Sequence, residues 1–191
     1  MPRFLEIFLS LVGLVLFSPV FIVIALFVRL DSKGPIFFHP LRIGLNGELF
    51  RMVKFRTMAS GTAGQGPPIT VKTDPRITRV GAFLRKEKLD ELPQLFNVLK
   101  GNMGFVGPRP EDPVIAEKYP DNFRSIFRFR PGITSPASLE FQSEEEMIPA
   151  DRWEPVYFGD ILPKKVKMDV RYMENATFWS DMRVIFQTVF K

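Results

Sequence analysis

The chain has 191 residues, a length typical of one packed domain. It is 46% hydrophobic and 25% charged, which excludes wholesale disorder and collagen-like repetition. Because it has no cysteine and a single histidine, His39, disulfides, thiol chemistry and metal sites built from cysteine or histidine clusters are excluded. The 20 phenylalanines indicate more apolar contact than a soluble domain of this size needs.

Positive charge is concentrated in the first part of the chain. Residues 1–110 carry a formal charge of +8, whereas residues 111–191 carry −3. A basic region of this kind suits DNA, anionic lipid or a phosphorylated small molecule. The sequence has no long Lys/Arg run and no helix-turn-helix or zinc-finger spacing, so nucleic acid is not expected as a partner.

The N-terminal region contains 22 residues without a charge, Ile7–Val28, enough for a helix to cross a bilayer core of about 30 Å. Basic residues on both sides and the lack of a small-residue cleavage site disfavour a cleaved signal peptide. Ser18-Pro19 interrupts the stretch, because proline removes a backbone donor and kinks a helix. A helix bent there needs partners for the freed carbonyls, such as the Ser18 hydroxyl. The residues leave a spanning helix and a re-entrant helix equally open.

A β-hairpin is predicted next. Residues Leu41–Leu45 and Glu48–Lys54 flank Asn46-Gly47, the strongest signal for a two-residue type I′ turn. The end of the second strand brings Lys54 and Arg56 close together in the sequence KFRTM. A solvated strand edge is the alternative interpretation of these two cations.

A loop and an amphipathic helix are predicted after the hairpin. Residues 59–75 are rich in Gly, Pro, Ser and Thr and predict a surface loop able to move over a site. Ile77–Lys86 has apolar residues at helical spacing with basic residues on the other face. This helix is expected either to lie on anionic lipid with Phe83 and Leu84 inserted, or to pack on the core as an ordinary surface helix.

A second helix is predicted from Asp90-Glu91-Leu92-Pro93 to Lys100, with Gly101 after its end. Asp90 is then expected at or near the N-cap, and a capping role alone would explain it. The cations near it in the sequence add a second interpretation, since a helix N-terminus beside Arg and Lys binds phosphate. An ionised carboxylate there can act as a nucleophile once a metal screens its charge.

Two later arginines stand next to prolines. Arg109 lies between Pro108 and Pro110, and Arg130 precedes Pro131-Gly132. Because proline restricts the backbone, both arginines are expected in well-defined positions. Together with Lys54 and Arg56 they suggest a clamp for a diphosphate, although neither a P-loop nor a dinucleotide-binding glycine pattern occurs.

Three segments carry a resemblance to a known family. They are RIGLNGELFRMVKFRTM, DPRITRVGAFLRKEKLDELPQLFNVLKGNMGFVGPRP and RFRPGIT. The sequence resembles the bacterial sugar transferases, small monotopic phosphoglycosyl transferases, over about residues 3–135 and again near the C-terminus. The resemblance implies an α+β fold with a re-entrant helix broken at Ser18-Pro19 over residues 1–30. It also implies a catalytic domain over 31–191 on the cytoplasmic face of the bacterial inner membrane, with a small hairpin and several amphipathic membrane-surface helices.

The resemblance also implies a reaction. A sugar-1-phosphate would pass from a nucleoside-diphosphate sugar to a membrane polyprenyl phosphate, with release of the nucleoside monophosphate. Asp90 would be the nucleophile of a phosphosugar-enzyme intermediate in a ping-pong sequence, and Glu91 would assist it through the metal or as acid–base. Mg²⁺ would bridge Asp90 and the diphosphate. The cations that would bind phosphate or nucleotide are Lys54, Arg56, Arg109 and Arg130.

One segment departs from the family pattern. Many members continue GITG-x-AQVNGR, whereas this chain continues GITSPASLEFQSEEEM, with three consecutive acids expected on a solvated face. The donor sugar is therefore open. Membrane lipids are expected as partners, and a homodimer is left open. The alternative function is a catalytically silent, membrane-anchored module that binds lipid or a partner.

Overall fold

The computed structural model describes residues 1–62 and 74–190, and the predicted loop at 59–75 lies mostly outside these residues. The described residues contain ten α-helices and six short β-strands, with four of the strands between α2 and α3. The strands form three separate two-stranded ladders, so helices carry most of the packing. The predicted α+β class is confirmed.

A bent helix pair opens the chain. Helix α1 (Arg3–Leu16) and α2 (Ser18–Asp31) meet at Phe17 with a bend of 60°. Pro19 occupies the first turn of α2, where its missing N–H costs nothing. The Ser18 hydroxyl donates a hydrogen bond of 2.7 Å to the Val15 carbonyl, as expected for a carbonyl freed by the break. The predicted break is therefore confirmed.

Neither helix of the pair is by itself long and apolar enough to cross a bilayer, although the two together meet that test by length and composition. The inner face of α2 places Ile24 and Val28 in a core cluster with Phe55 and Leu84. The outer face of the pair remains apolar and exposed. Its exposed large side chains are Phe4, Phe8, Leu11, Val12, Val15, Leu16, Phe17, Val20, Ile22, Val23, Leu26, Phe27 and Leu30.

The predicted hairpin is present but shorter than expected. Strands β2 (Leu41–Ile43) and β3 (Leu49–Arg51) pair antiparallel. Asn46 (φ 55°, ψ 23°) and Gly47 (φ 82°) both adopt the left-handed conformation that a type I′ turn requires.

The sequence predicts that the second strand extends to Lys54, and this end is wrong, because the strand stops at Arg51. The Asn97 side chain accepts a hydrogen bond from the Val53 N–H and donates one to the Arg51 carbonyl, both at 2.8 Å. Because the amide satisfies the backbone there, the chain leaves the hairpin. Lys54 and Phe55 instead form β4, which pairs with β1 (Phe37–Phe38).

Helix α3 (Arg79–Lys86) confirms the predicted amphipathic helix. Thr78 caps it by accepting a hydrogen bond of 3.0 Å from the Gly81 N–H. Leu84 is buried at 2% exposure, whereas Phe83 is 58% exposed. Insertion of Leu84 into lipid is therefore wrong, because that side chain fills the core between α2 and β4.

A 3₁₀ turn (Leu89–Gln94) leads into α4 (Leu95–Lys100), which ends at Gly101 with φ 92°. The predicted helix end at Gly101 is confirmed, but the predicted capping role of Asp90 is wrong. Lys88, with φ 56°, precedes the turn, and Asp90 lies inside its first turn without capping it. The Asp90 side chain is therefore not used to cap this turn.

Strands β5 (Gly104–Val106) and β6 (Gly132–Thr134) pair in parallel and bring the two arginine-bearing loops together. A Cβ on Gly107 would lie 2.3 Å from the Arg130 carbonyl oxygen, and one on Gly132 would lie 2.1 Å from the Gly107 nitrogen. These glycines thus permit close approach of two backbones.

The C-terminal part is helical and forms its own core cluster. Its helices are α5 (Pro113–Ala116), α6 (Pro136–Glu140), α7 (Glu144–Met147), α8 (Trp153–Val156), α9 (Leu162–Glu174) and α10 (Phe178–Val189). A π-helical turn, Tyr157–Ile161, joins α8 to α9, and 3₁₀ turns occur at Asp121–Arg128 and Ala150–Arg152. Buried Ile115, Tyr119, Tyr157 and Leu162 form the centre of this cluster.

Candidate active site

Asp90 and Glu91 lie in the 3₁₀ turn before α4, packed against the strand that carries Lys54. Asp90 is only 6% exposed. No hydrogen bond from any residue in 1–62 or 74–190 reaches its carboxylate. A buried carboxylate in this position is unusual, because buried acids normally accept hydrogen bonds.

The surroundings of Asp90 raise the pKa of its carboxylate. Burial, followed by the neighbouring Glu91 charge, raises the pKa of Asp90 to about 6, while Lys54, Arg85 and Arg109 oppose this rise. Burial disfavours the charged form, and the three cations recover part of the loss. Asp90 is therefore mainly ionised at pH 7 and poised for proton-coupled or nucleophilic chemistry.

Glu91 is held by Arg109. The guanidinium donates to the Glu91 Oε1 oxygen at 2.7 Å. Burial by itself would raise the pKa of Glu91, but the charge and hydrogen bond of Arg109, with Lys54 and Lys88, lower it overall. The Arg109 side chain remains 48% exposed, so part of its guanidinium stays available to an anion.

Lys54 completes the charged group. Burial lowers the pKa of Lys54 to about 8, with Arg85 and Arg109 adding to the fall and Asp90 and Glu91 opposing it. The lysine remains mostly protonated at pH 7. Its ammonium also lies 5.7 Å from the centre of the Phe38 ring, a cation–π contact.

A cavity of about 220 Å³ is lined by Lys54 and Arg109 of this group, whereas Asp90 and Glu91 are not among its lining residues. Arg85 and Lys88 also line it, and Lys54, Arg85 and Arg109 lower the pKa of Asp90. Residues of α6, the π-helical turn and α9 form another part of the lining. The cations of the lining suit a phosphate or diphosphate, because several positive charges face one cavity.

Two of the four predicted phosphate-binding cations do not line the cavity. The Arg56 guanidinium donates to the carbonyls of Val28, Ser32 and Lys33 at 3.2, 2.7 and 3.0 Å, which satisfies the C-terminal end of α2. Arg130 lies 3.5 Å from the buried Glu6 of α1. The structure thus brings Lys54 and Arg109 to the acid pair and uses Arg56 and Arg130 in contacts with the helix pair.

Arg85 and Lys88 are site residues that sequence reasoning missed. They were grouped with the basic face of the amphipathic helix, although they precede Asp90 by only five and two residues. The signal available was this short spacing. The left-handed conformation of Lys88 turns the chain between α3 and the acid pair, so that both cations come to line the cavity.

The residues present fit a Mg²⁺ ion at Asp90. No group of three acidic or histidine side chains that could hold a metal occurs in the described part of the chain. Magnesium, however, is commonly bound by one or two carboxylates together with substrate phosphates and water. Asp90 supplies a carboxylate that accepts no hydrogen bond within the described part of the chain, beside cations suited to those phosphates.

The family model described as "Bacterial sugar transferase" matches residues 1–191. The chain belongs to the bacterial sugar transferase family. It is 35% identical over 197 residues to the UDP-glucose:undecaprenyl-phosphate glucose-1-phosphate transferase of Klebsiella pneumoniae, covering 99% of this chain and 39% of that protein. It is 36% identical to the exopolysaccharide production protein PSS of Rhizobium leguminosarum bv. phaseoli, covering 99% and 93%.

A third relative is matched over a shorter region. The putative undecaprenyl-phosphate N-acetylgalactosaminyl 1-phosphate transferase of Bacillus subtilis is 43% identical over 117 residues, covering 61% of this chain and 65% of that protein. The chain spans about two fifths of the length of several longer relatives, including the Klebsiella enzyme. The family therefore covers the whole chain, whereas these longer relatives extend beyond it.

Proposed function

We propose that this bacterial sugar transferase moves a sugar-1-phosphate from a nucleoside-diphosphate sugar to a polyprenyl phosphate and releases the nucleoside monophosphate. The observation that carries the proposal is the Asp90 carboxylate, which is buried, accepts no hydrogen bond from residues 1–62 or 74–190, and lies beside three cations that line a cavity. The printed names of several relatives, which act on undecaprenyl phosphate, support the acceptor class.

Asp90 is the nucleophile in this proposal. One carboxylate oxygen attacks the phosphorus that carries the sugar, and the bond from that phosphorus to the bridging oxygen breaks. The nucleoside monophosphate leaves with the electron pair and leaves a phosphosugar on Asp90. An oxygen of the polyprenyl phosphate then attacks the same phosphorus and regenerates the carboxylate. The two half-reactions use one site in turn, which gives ping-pong kinetics.

The cations and Glu91 supply positioning and charge. Lys54 and Arg109 hold the diphosphate and offset the negative charge that grows on the leaving oxygen. Glu91 keeps its carboxylate form, since its pKa is lowered, and orients Arg109 through the 2.7 Å contact. Between the two roles expected for Glu91, this favours charge and metal binding over proton transfer.

Asp90, with the donor's diphosphate, would hold Mg²⁺, and Glu91 lies next to it in the chain. The ion, when bound, neutralises phosphate charge and so lets a carboxylate approach phosphorus. The chain's own contribution is to leave the Asp90 oxygens uncommitted while Arg109 occupies one oxygen of Glu91.

The bent helix pair places this chemistry at a membrane in our proposal. Its exposed apolar face matches a hydrocarbon interior, and the acceptor is a lipid. We propose a re-entrant arrangement in the bacterial inner membrane with the catalytic part on the cytoplasmic face. Cysteines introduced at Pro2 and Ser32 should then react with an impermeant thiol reagent from one side only. Labelling from opposite sides would establish a spanning pair instead.

Intact mass measurement tests the reaction directly. The purified chain, incubated with a nucleotide sugar and Mg²⁺ but no acceptor, should gain the mass of one phosphosugar and release nucleoside monophosphate. Asp90→Asn should gain nothing, while the exposed control Asp160→Asn should form the adduct normally. No adduct and no nucleotide release over a panel of donors would reject the proposal and favour the catalytically silent membrane module.

A further inference from the structure

Besides the cations near Asp90, the cavity has a wall of polar and aromatic side chains. It is formed by Ser138, Phe141, Gln142, Tyr157, Lys165 and Asp169, and we refer to these residues as the polar wall. Ser138 belongs to α6, and Lys165 and Asp169 belong to α9. The α6 side of the wall lies in the segment where this sequence departs from the pattern of many relatives.

Contacts behind the polar wall hold it in place. The buried Asp169 carboxylate accepts hydrogen bonds from the Ala137 N–H at 3.0 Å and the Ser135 hydroxyl at 2.9 Å, which ties α6 to α9. The Tyr157 hydroxyl donates to Glu111 at 2.7 Å. Lys165 pairs with Glu144 at 2.7 Å. The wall is therefore a built surface rather than a mobile loop.

Two members of the polar wall keep hydrogen-bonding capacity for a ligand. The Ser135 hydroxyl lies 3.1 Å from the Ser138 hydroxyl and 2.9 Å from Asp169, and in either arrangement the Ser138 hydroxyl keeps hydrogen-bonding capacity, because a hydroxyl has one donor and two acceptor sites. The Gln142 amide makes no hydrogen bond with the residues that the structure describes. A hydroxyl and an amide, with Phe141 and Tyr157 as flat apolar surfaces, match the chemistry of a sugar ring.

We propose that the polar wall binds the sugar of the donor and that Ser138 and Gln142 determine which sugar is accepted. This inference rests on the proposed function for the position of the diphosphate at Lys54 and Arg109. The cavity, at about 220 Å³, is smaller than the ~300–1,000 Å³ of pockets for whole drug-sized ligands, so it accommodates one end of the donor. The sugar is the end that must stay when the nucleotide leaves, which favours it over the nucleoside.

Binding measurements in a chain that cannot react test this proposal. In an Asp90→Asn background, dissociation constants are measured for UDP, UDP-glucose, UDP-galactose, UDP-N-acetylglucosamine and UDP-N-acetylgalactosamine, and for ADP-glucose as a change of base. Ser138→Ala and Gln142→Ala are then added separately. Their matched controls are Ser125→Ala and Gln187→Ala, two exposed positions that do not line the cavity.

Each wall variant should reduce the ratio of dissociation constants between the best and worst UDP-sugar by about three- to tenfold, the effect of one hydrogen bond. The affinity for UDP and the UDP-glucose to ADP-glucose ratio should not change, and both controls should match the parent. Three results would overturn the proposal in the parent or the wall variants: a wall variant that weakens UDP as much as the UDP-sugars, a changed ratio of UDP-glucose to ADP-glucose affinity, or a parent that binds UDP and every UDP-sugar equally. Absence of donor binding to the parent would overturn it as well. Because the adduct experiment depends on Asp90 and this one does not, either can fail alone.

Discussion

Two buried aspartates differ in what their carboxylates do: Asp169 lines the cavity, whereas Asp90 lies beside cations that line it. Both have a raised pKa, with burial as the main cause. Asp169 accepts hydrogen bonds from Ser135 and Ala137 and so joins α6 to α9. Asp90 accepts none from the described residues and is surrounded by cations that line the cavity.

The comparison separates a structural acid from one available for chemistry. Burial and a raised pKa are common to both, so neither property identifies the functional residue. The distinguishing feature is whether the protein already uses the carboxylate oxygens. The Asp169 oxygens accept hydrogen bonds from Ser135 and Ala137. At Asp90, burial removes water from the carboxylate, and no hydrogen bond from the described residues replaces it.

The largest expected effect is on turnover. Asp90→Asn should lower the rate of sugar-phosphate transfer by at least about a thousandfold, since an amide cannot form the acyl phosphate. Asp169→Asn, in the lining of the cavity, should lose no more than about tenfold. Steady-state assays of nucleoside monophosphate release measure both. Comparable losses in the two variants would break the distinction between the acids.

The pH profile sharpens the comparison at Asp90. Since the pKa of Asp90 is about 6, kcat/KM should fall about tenfold per pH unit below that value as the nucleophile is protonated. Since the pKa of Lys54 is about 8, donor binding should weaken above it as the ammonium loses its proton. Lys54→Arg should remove only the basic limb. An acidic limb near 4, the ordinary range for aspartate, would contradict the burial of Asp90.

The smallest expected effects are on the free energy of unfolding, which Asp90→Asn should raise and Asp169→Asn should lower. The folded pKa of Asp90 lies above its unfolded value of 3.8, so ionisation of Asp90 costs stability, and this cost grows as the pH rises from about 4 to about 6 and is complete above that. Asp90→Asn removes this cost, up to about 3 kcal/mol, and should raise Tm at pH 7 by several degrees. Asp169→Asn leaves a donor of α6 without its carboxylate and should lower Tm through a loss of about 1–3 kcal/mol. Thermal unfolding of both variants at pH 7 measures the difference, and a lowered Tm for Asp90→Asn would contradict it.

Local sequence signals predicted the local structure well. Asn46-Gly47 forms the expected turn, because only a few residue types adopt two successive left-handed conformations at low cost. Ser18-Pro19 breaks the N-terminal helix, and Gly101 ends α4, each through the backbone of one or two residues. The chain's family membership likewise follows from motifs that are contiguous in the sequence.

Predictions failed where a distant side chain decided the outcome. Asn97 ends the second hairpin strand from a position 44 residues away, at the Val53 N–H. Helix α2 presents its terminal carbonyls to Arg56, which therefore lies away from the cavity. Neither contact has a signature in the neighbouring residues, because both depend on how separate elements pack.

The sequence by itself determined the Asn46-Gly47 turn, the end of α4 at Gly101, the broken N-terminal helix and the family. It also identified the acid pair Asp90-Glu91, with candidate cations that include Lys54 and Arg109. Only the tertiary structure decided which cations meet Asp90, which carboxylates remain free of hydrogen bonds, and which other segments line the cavity. The reason is physical. Backbone preferences act over a few residues, whereas burial, charge pairing and the shape of a cavity arise from elements far apart in the chain.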